Sequence, residues 1–247
     1  MNPRLGATNL SKRFGGVVAL DDVTVSVPGG AVVAVLGRNG AGKSTLLQCV
    51  SGSMQPDAGR VVLDGRDVTA LPPDARARRG LVQTFQTGAV FSTLTVRENL
   101  QVGAEHRHRR NLLHGFVHLA APDTAGIVRH VLDDLGLAEV GDTLAGSLPT
   151  GTRRLVEIGR ALCAQPGVLL LDEPTSGLDR RESDAVGHLI REVAGRDVSV
   201  LAIEHDLRFV LDVADSVLLM AAGRIVAEGA PHELADAEVI ARAGEPR

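Results

Sequence analysis

The chain has 247 residues, 44% of them apolar, with a formal net charge of −4, enough to bury the core of one large domain or one domain with a subdomain, and too apolar for disorder over most of its length. The acidic balance argues against a nucleic-acid backbone as the main partner, because such binding selects for clustered Lys and Arg. Cys49 and Cys163 stand in apolar helical patterns, which fits a reducing compartment and argues against a disulfide; no apolar run approaches the roughly 18 residues of a membrane span, MNPRLGATNL lacks the pattern of a secretory signal, and a cytoplasmic chain is expected.

In chain order, VTVSV at 23–27 and AVVAVL at 31–36 are β-branched runs parted by Pro28-Gly29-Gly30. They predict a strand, a turn and a buried strand. Gly-rich text then opens a helix, KSTLLQCV, with Leu46, Leu47 and Val50 at helical spacing, and RVVLDGRDV at 60–68 predicts a third strand. From about residue 87 the text turns charged and His-rich (EHRHRRNLLHGFVH), then helical through IVRHVLDDLGL, where Gly136 supplies a left-handed stop. This predicts an inserted helical region.

A helix is expected from residue 153 to about 164, with Leu155, Ile158 and Leu162 on one face, leading into the short apolar strand VLLL at 168–171. The pattern then repeats, with a helix carrying Val186, Leu189, Ile190 and Val193, a strand at 198–203, and a hairpin around Ala222-Gly223. Alternating strands and helices imply a parallel α/β core. Only five Phe, no Tyr and no Trp are present, so any base-stacking platform must use one of the five.

GRNGAGKS at 37–44 fits G-x-x-x-x-G-K-[ST] after a predicted strand and before a predicted helix. Backbone amides of such a turn point at a β-phosphate, and the helix N-terminus adds positive potential. Gly37, Arg38, Asn39, Gly40, Ala41, Gly42, Lys43, Ser44 and Thr45 are therefore candidate nucleotide-binding residues, with Lys43 reaching the β and γ oxygens and Ser44 ligating magnesium. A chance Gly-rich turn is the bland alternative; a dinucleotide fingerprint needs other spacing. VLLLDEP at 168–174 supplies the second half, with Asp172 as a magnesium carboxylate and Glu173 placed to orient or deprotonate the attacking water. The alternative for the pair is a helix N-cap. His205, in IEHD, follows the strand at 198–203 and emerges at the ligand-binding edge of such sheets.

The order GRNGAGKST, FQ, a glycine-containing signature, LLLDEP, SGLD and IEHD over residues 37–206 resembles the nucleotide-binding subunit of ATP-binding cassette (ABC) transporters across nearly the whole chain. The resemblance implies one ABC ATPase domain over 1–247 with a P-loop α/β fold: a mainly parallel sheet core, an N-terminal antiparallel β subdomain and a helical subdomain inserted at about 87–160. It implies ATP and Mg2+ as cofactors. It further implies Gln86 as a lid glutamine acting in catalysis and magnesium sensing, Ser176–Asp179 as a dimer-contact loop, His205 as a γ-phosphate switch, and Phe14 in KRFGG as the aromatic stacked on adenine, a core role being the alternative for Phe14. The implied partners are integral membrane permease subunits, a second ABC ATPase subunit and, indirectly, a substrate-binding protein, with the chain peripheral on the inner face of the membrane. Within the family, KRFGGVVALDDVTVSV and LTVRENL are most similar to the ATPases of branched-chain amino acid importers and their urea or amide relatives.

The signature departs from the usual Leu-Ser-Gly-Gly-Gln, reading LPTGT at 148–152. Proline offers neither hydroxyl nor amide hydrogen, so a charge-assisted phosphate contact worth ~1.5–3 kcal/mol is lost unless Thr150 or Thr152 replaces it. Gly151 keeps its place, and a helix starting at Thr152 or Arg153 keeps its dipole. A working variant is expected, with Thr150→Ala impairing dimerisation more than a control at Thr69, which lies outside every motif. His106, His108, His114, His118 and His130 read as a solvated basic surface rather than a metal site. Two rivals are a soluble ABC ATPase, disfavoured because no coiled coil separates Lys43 from Asp172 and only one cassette is present, and a subunit that closes on ATP with weak hydrolysis.

Overall fold

The computed structural model describes residues 3–84, 90–108 and 123–234, with the backbone alone at 106–108. Its first strands, β1 (Leu5–Phe14), β2 (Val17–Val27), β4 (Ala58–Leu63) and β5 (Arg66–Asp67), form an antiparallel sheet in the order β2-β1-β4-β5. The second sheet, of six strands, is built from β3 (Val32–Leu36), β6 (Leu81–Gln83), β7 (Val168–Asp172), β8 (Ser199–Glu204), β9 (Ser216–Ala221) and β10 (Arg224–Gly229), ordered β10-β9-β3-β8-β7-β6. Every neighbouring pair in it is parallel except β10 with β9.

Sequence patterning explains the division. Strands β3, β7 and β8 are buried at every residue, as strands covered on both faces must be, and so read as continuous apolar runs. In β2 the outward Thr24 and Ser26 alternate with buried Val23, Val25 and Val27, the mark of a one-sided sheet. Strand β1 was not anticipated, because its inward residues Leu5, Ala7 and Leu10 lose their period of two at a register shift between Ala7 and Leu10. Asn9 sits there at φ 54, its amide nitrogen donating to Asp22 Oδ1 at 2.6 Å. Such a bulge flips the face that successive side chains present.

The single strand expected at 60–68 is instead a hairpin of β4 and β5, turned at Asp64 (φ 47) and Gly65 (φ 73), the Asp-Gly pair that a tight turn with two left-handed residues favours. The hairpin expected around Ala222-Gly223 is present as β9 and β10.

Helix α1 (Lys43–Ser51) packs under the antiparallel sheet in a core containing Leu46, Leu47, Val33 and Val35. The opposite face of the six-stranded sheet is covered by α5 (Thr150–Cys163), α6 (Arg180–Gly195) and α7 (Leu207–Val213), through Ile158, Val186, Ile190 and Val210. A third apolar cluster joins α3 (Val96–His108), α4 (Thr124–Asp134) and α5 through Leu100, Val128, Leu132 and Val156. Helix α5 thus belongs to two cores: Ile158 faces the sheet and Val156 faces α3 and α4. Gly136 (φ 63) follows α4 as expected, and Leu137 N–H closes the end on Leu132 O at 2.8 Å. Two short helices complete the order, α2 (Pro73–Ala77) before β6 and α8 (Pro231–Leu234) after β10.

Helix α5 starts two or three residues earlier than the sequence indicated. Pro149 is its N-cap at φ −55, ψ 157, and the first helical bond runs from Arg153 N–H to Pro149 O at 3.0 Å. Proline suits this place, since an N-cap contributes its carbonyl to the helix and its own N–H is not needed there.

Candidate functional site

Strand β3 ends at Leu36, and the chain turns through residues 37–42 into α1. Two glycines are fixed by close approach: a β-carbon on Gly37 would overlap the carbonyl oxygen of Met220, and one on Gly42, at φ 106, would overlap that of Ala19. The antiparallel sheet and β9 thereby press the turn from both sides. Lys43 is buried, with Nζ donating to Gly37 O at 2.6 Å and Arg38 O at 3.2 Å. Its ammonium is held inside the loop it would share with a phosphate. Burial lowers its pKa from the ordinary lysine value, while Glu173, Asp172 and Glu204 act in the opposite direction. Ser44 is exposed at the start of the helix.

The parallel register sets Asp172 of β7 beside Ile203 of β8, with β3 on the far side of β8. The carboxyl ends of the three strands therefore gather the 37–44 turn, Asp172-Glu173 and Glu204-His205. Asp172 is buried, and its Oδ1 has no hydrogen-bond partner among the described residues. Burial and, next, the charge of Glu173 raise its pKa above the usual carboxylate range, against the pull of Arg154 and Lys43. A buried carboxylate oxygen without a donor, at the same end of the sheet as an exposed serine of a phosphate-binding turn, is an oxygen donor set that fits a hard divalent cation.

Glu173 adopts φ 46, a left-handed conformation that costs an L-residue about 1–2 kcal/mol. The surroundings enforce it. Its N–H donates to Ile203 O at 2.9 Å, and its carbonyl accepts from Ser176 N–H at 3.1 Å and from Arg154 Nη2 at 3.1 Å. Glu204, which no sequence motif above assigns a role, is fully buried at the end of β8. Its Oε1 accepts from Thr175 N–H (3.0 Å) and Thr175 Oγ1 (2.7 Å), and its Oε2 accepts from His205 N–H (3.1 Å). An acid closing a buried apolar strand was the available signal. Glu204 locks the segment after Glu173 to the segment carrying His205, whose side chain is 57% exposed.

Phe14 is 46% exposed at the end of β1, with Lys12 Nζ 5.9 Å from its ring centre; it is not a core residue. Gln86 lies outside the described residues, as do the side chains of His106, His108, His114 and His118. His130 lies on the surface of α4, 3.5 Å from Asp134 Oδ2 and from Arg196 Nη1, and no cluster of three metal-ligating side chains occurs among the described residues.

The signature turn sits elsewhere, at the open end of α5. Thr150 is exposed, its Oγ1 accepting from Arg153 Nη2 at 3.4 Å, and Gly151 is buried against the Glu182 side chain. Glu182 in turn forms a capping box with Asp179 at the start of α6. The first-turn amides of Thr150, Gly151 and Thr152 precede the first helical bond, the arrangement that makes a helix N-terminus receptive to anions. Thr69 is a poor control: its hydroxyl accepts from Val61 N–H at 2.8 Å and so helps hold β4.

A glycine-tight turn around a buried lysine, with two acids at the same end of a parallel sheet one strand removed, defines a P-loop nucleotide-binding ATPase. A family model described as ABC transporter matches residues 20–176, and the chain belongs to that family. It is 36% identical over 241 residues to the high-affinity branched-chain amino acid transport ATP-binding protein BraF of Pseudomonas aeruginosa, covering 95% of this chain and 94% of the relative. It is 34% identical over 238 residues to the lipopolysaccharide export system ATP-binding protein LptB of Haemophilus influenzae, covering 96% and 95%. A crystal structure of an ABC transporter ATP-binding cassette in its ADP conformation superposes with a TM-score of 0.86 at 34% identity, covering 98% of each chain. The chain is thus an ATPase subunit that energises a transporter, and no helix among the described residues is long and apolar enough to cross a membrane.

Proposed function

We propose that the chain hydrolyses ATP at the 37–44 turn to drive a membrane importer of branched-chain amino acids or related small polar solutes. The observation that carries the catalytic half is Lys43, buried and bonded to the carbonyls of its own loop, facing the strand ends that bear Asp172 and Glu173. Gly37 to Thr45 bind the phosphates through main-chain nitrogens, and Lys43 exchanges its carbonyl partners for β and γ oxygens. Phe14, exposed at the end of β1, stacks on the adenine. Ser44, Asp172 and Gln86 would hold Mg2+, whose chemistry is to neutralise charge on the β and γ phosphates.

Glu173 accepts a proton from water as the water oxygen attacks the γ-phosphorus; the bond to the β–γ bridging oxygen breaks, and ADP and inorganic phosphate leave. His205, exposed and anchored through Glu204, donates to the γ-phosphate. Thr150 and Gly151 present amides, and Thr150 a hydroxyl, to the nucleotide held by a second ATPase subunit. The cargo half rests on the name of BraF; the comparable identity to LptB, named for lipopolysaccharide export, makes the permease partner the deciding observation.

The test is steady-state ATP hydrolysis by the full chain with its copurified permease. Glu173→Gln is expected to cut turnover about 10²–10⁴-fold, the usual worth of a general base, and to stop branched-chain amino acid uptake. Unchanged turnover removes Glu173 from the chemistry.

A further inference from the structure

Helix α5 carries at its start the turn assigned above to the partner's nucleotide. One turn further along it, Arg154 donates from Nη1 to Glu157 Oε2 at 2.8 Å and from Nη2 to the main-chain carbonyl of Glu173 at 3.1 Å. The Arg154 side chain is only 10% exposed and that of Glu157 3%. A guanidinium fork is planar and rigid, so two partners in different directions fix it more firmly than one.

Its second partner is a residue with a conformational demand. Glu173 is left-handed, and of the three bonds that hold its peptide groups, two come from main chain at Ile203 and Ser176. The third comes from a side chain on another element. Arg154 is therefore the described side-chain link between the helix that opens with Pro149–Thr152 and the loop that aims Glu173.

We propose that Arg154 is the positioning residue for Glu173, and that it makes the signature helix and the catalytic loop of one chain move as a single body. The inference rests on the reading of Glu173 as the base. Its consequence is a mechanical path between two nucleotide sites: α5 of this chain closes over the partner's ATP, while Glu173 acts on its own. Closure at one site then sets the carboxylate at the other.

A purely structural role for a buried ion pair is the competing explanation, and removing one partner of such a pair destabilises a fold by stranding the other. The informative variants keep that charge balance. Arg154→Lys preserves a cation against Glu157 but cannot span both partners, and the double variant Arg154→Met with Glu157→Gln removes both charges together. Thermal melting and steady-state ATP hydrolysis by the full chain decide between the roles.

In both variants kcat is expected to fall about tenfold or more, because a small misplacement of a reacting group is costly, with KM for ATP within about twofold and the melting temperature retained in Arg154→Lys. A wild-type kcat in Arg154→Lys, or in a folded double variant, overturns the inference while Glu173→Gln still abolishes turnover. If Glu173→Gln leaves turnover unchanged, the reading of the base fails first and this inference falls with it.

Discussion

Two turns in this chain lead into helices with free N-terminal amides, and they are built in opposite ways. The turn at 37–42 is clamped between the carbonyls of Met220 and Ala19, and its lysine is already seated. The Pro149–Thr152 turn is open: Thr150 faces solvent, and its tightest internal neighbour is Glu182 against Gly151. On the function proposed above, the first is a phosphate site complete within one chain and the second a site shared between chains, with Thr150 left exposed.

Three substitutions break or sharpen that contrast. The largest effect is expected from Gly42→Val, where a side chain would meet the Ala19 carbonyl at φ 106; ATP affinity of the isolated chain, read by calorimetry, should drop by about a hundredfold or more, since several charge-assisted bonds are lost together. Gly151→Ala should leave that affinity unchanged, because the intruding methyl displaces Glu182 rather than the P-loop. Dimerisation with ATP should weaken about tenfold through the loss of one phosphate contact and the Asp179 capping box. An equal loss of monomer affinity would erase the distinction between the turns. Thr150→Ala should weaken dimerisation by only a few-fold, against no change for the exposed Thr93→Ala, since a neutral hydroxyl contact nets about 1 kcal/mol.

The first turn was legible in the sequence because its determinants are consecutive: glycine spacing, a buried strand before it and a helix after. Asp172 and Glu173 were legible for the same reason. Glu204 and Arg154 were not, because their roles arise where β8 and α5 meet the loop after β7, more than fifteen residues away from either. Strand β1 escaped because Asn9 interrupts its alternation, and the start of α5 was misplaced because Pro149 reads as a breaker when its carbonyl is the cap. Thr69 looked inert in the sequence only because its partner, Val61, lies on the adjoining strand.

A separate expectation, confined to alkaline pH, concerns the buried thiols. Burial pushes Cys49 up to about 11 and Cys163 up to about 12. Their folded pKa values exceed the unfolded one near 8.5, so the unfolded chain ionises first as pH rises. The thiols' contribution to stability should be constant below about pH 8 and fall progressively from there toward pH 11, while Lys43, whose pKa is lowered by burial, contributes with the opposite sign over the alkaline range. Denaturant melts across that range check it, and thiol labelling of the native chain at pH 8 should be slow.

The central claim is that a triphosphate is gripped by the 37–44 turn through Lys43. Calorimetric titration of ATP with Mg2+ into the wild-type chain and into Lys43→Ala tests it most directly. Saturable heat from the wild type, and affinity at least about a hundredfold weaker in the variant, is the expected result. Equal affinities in two correctly folded samples would contradict it.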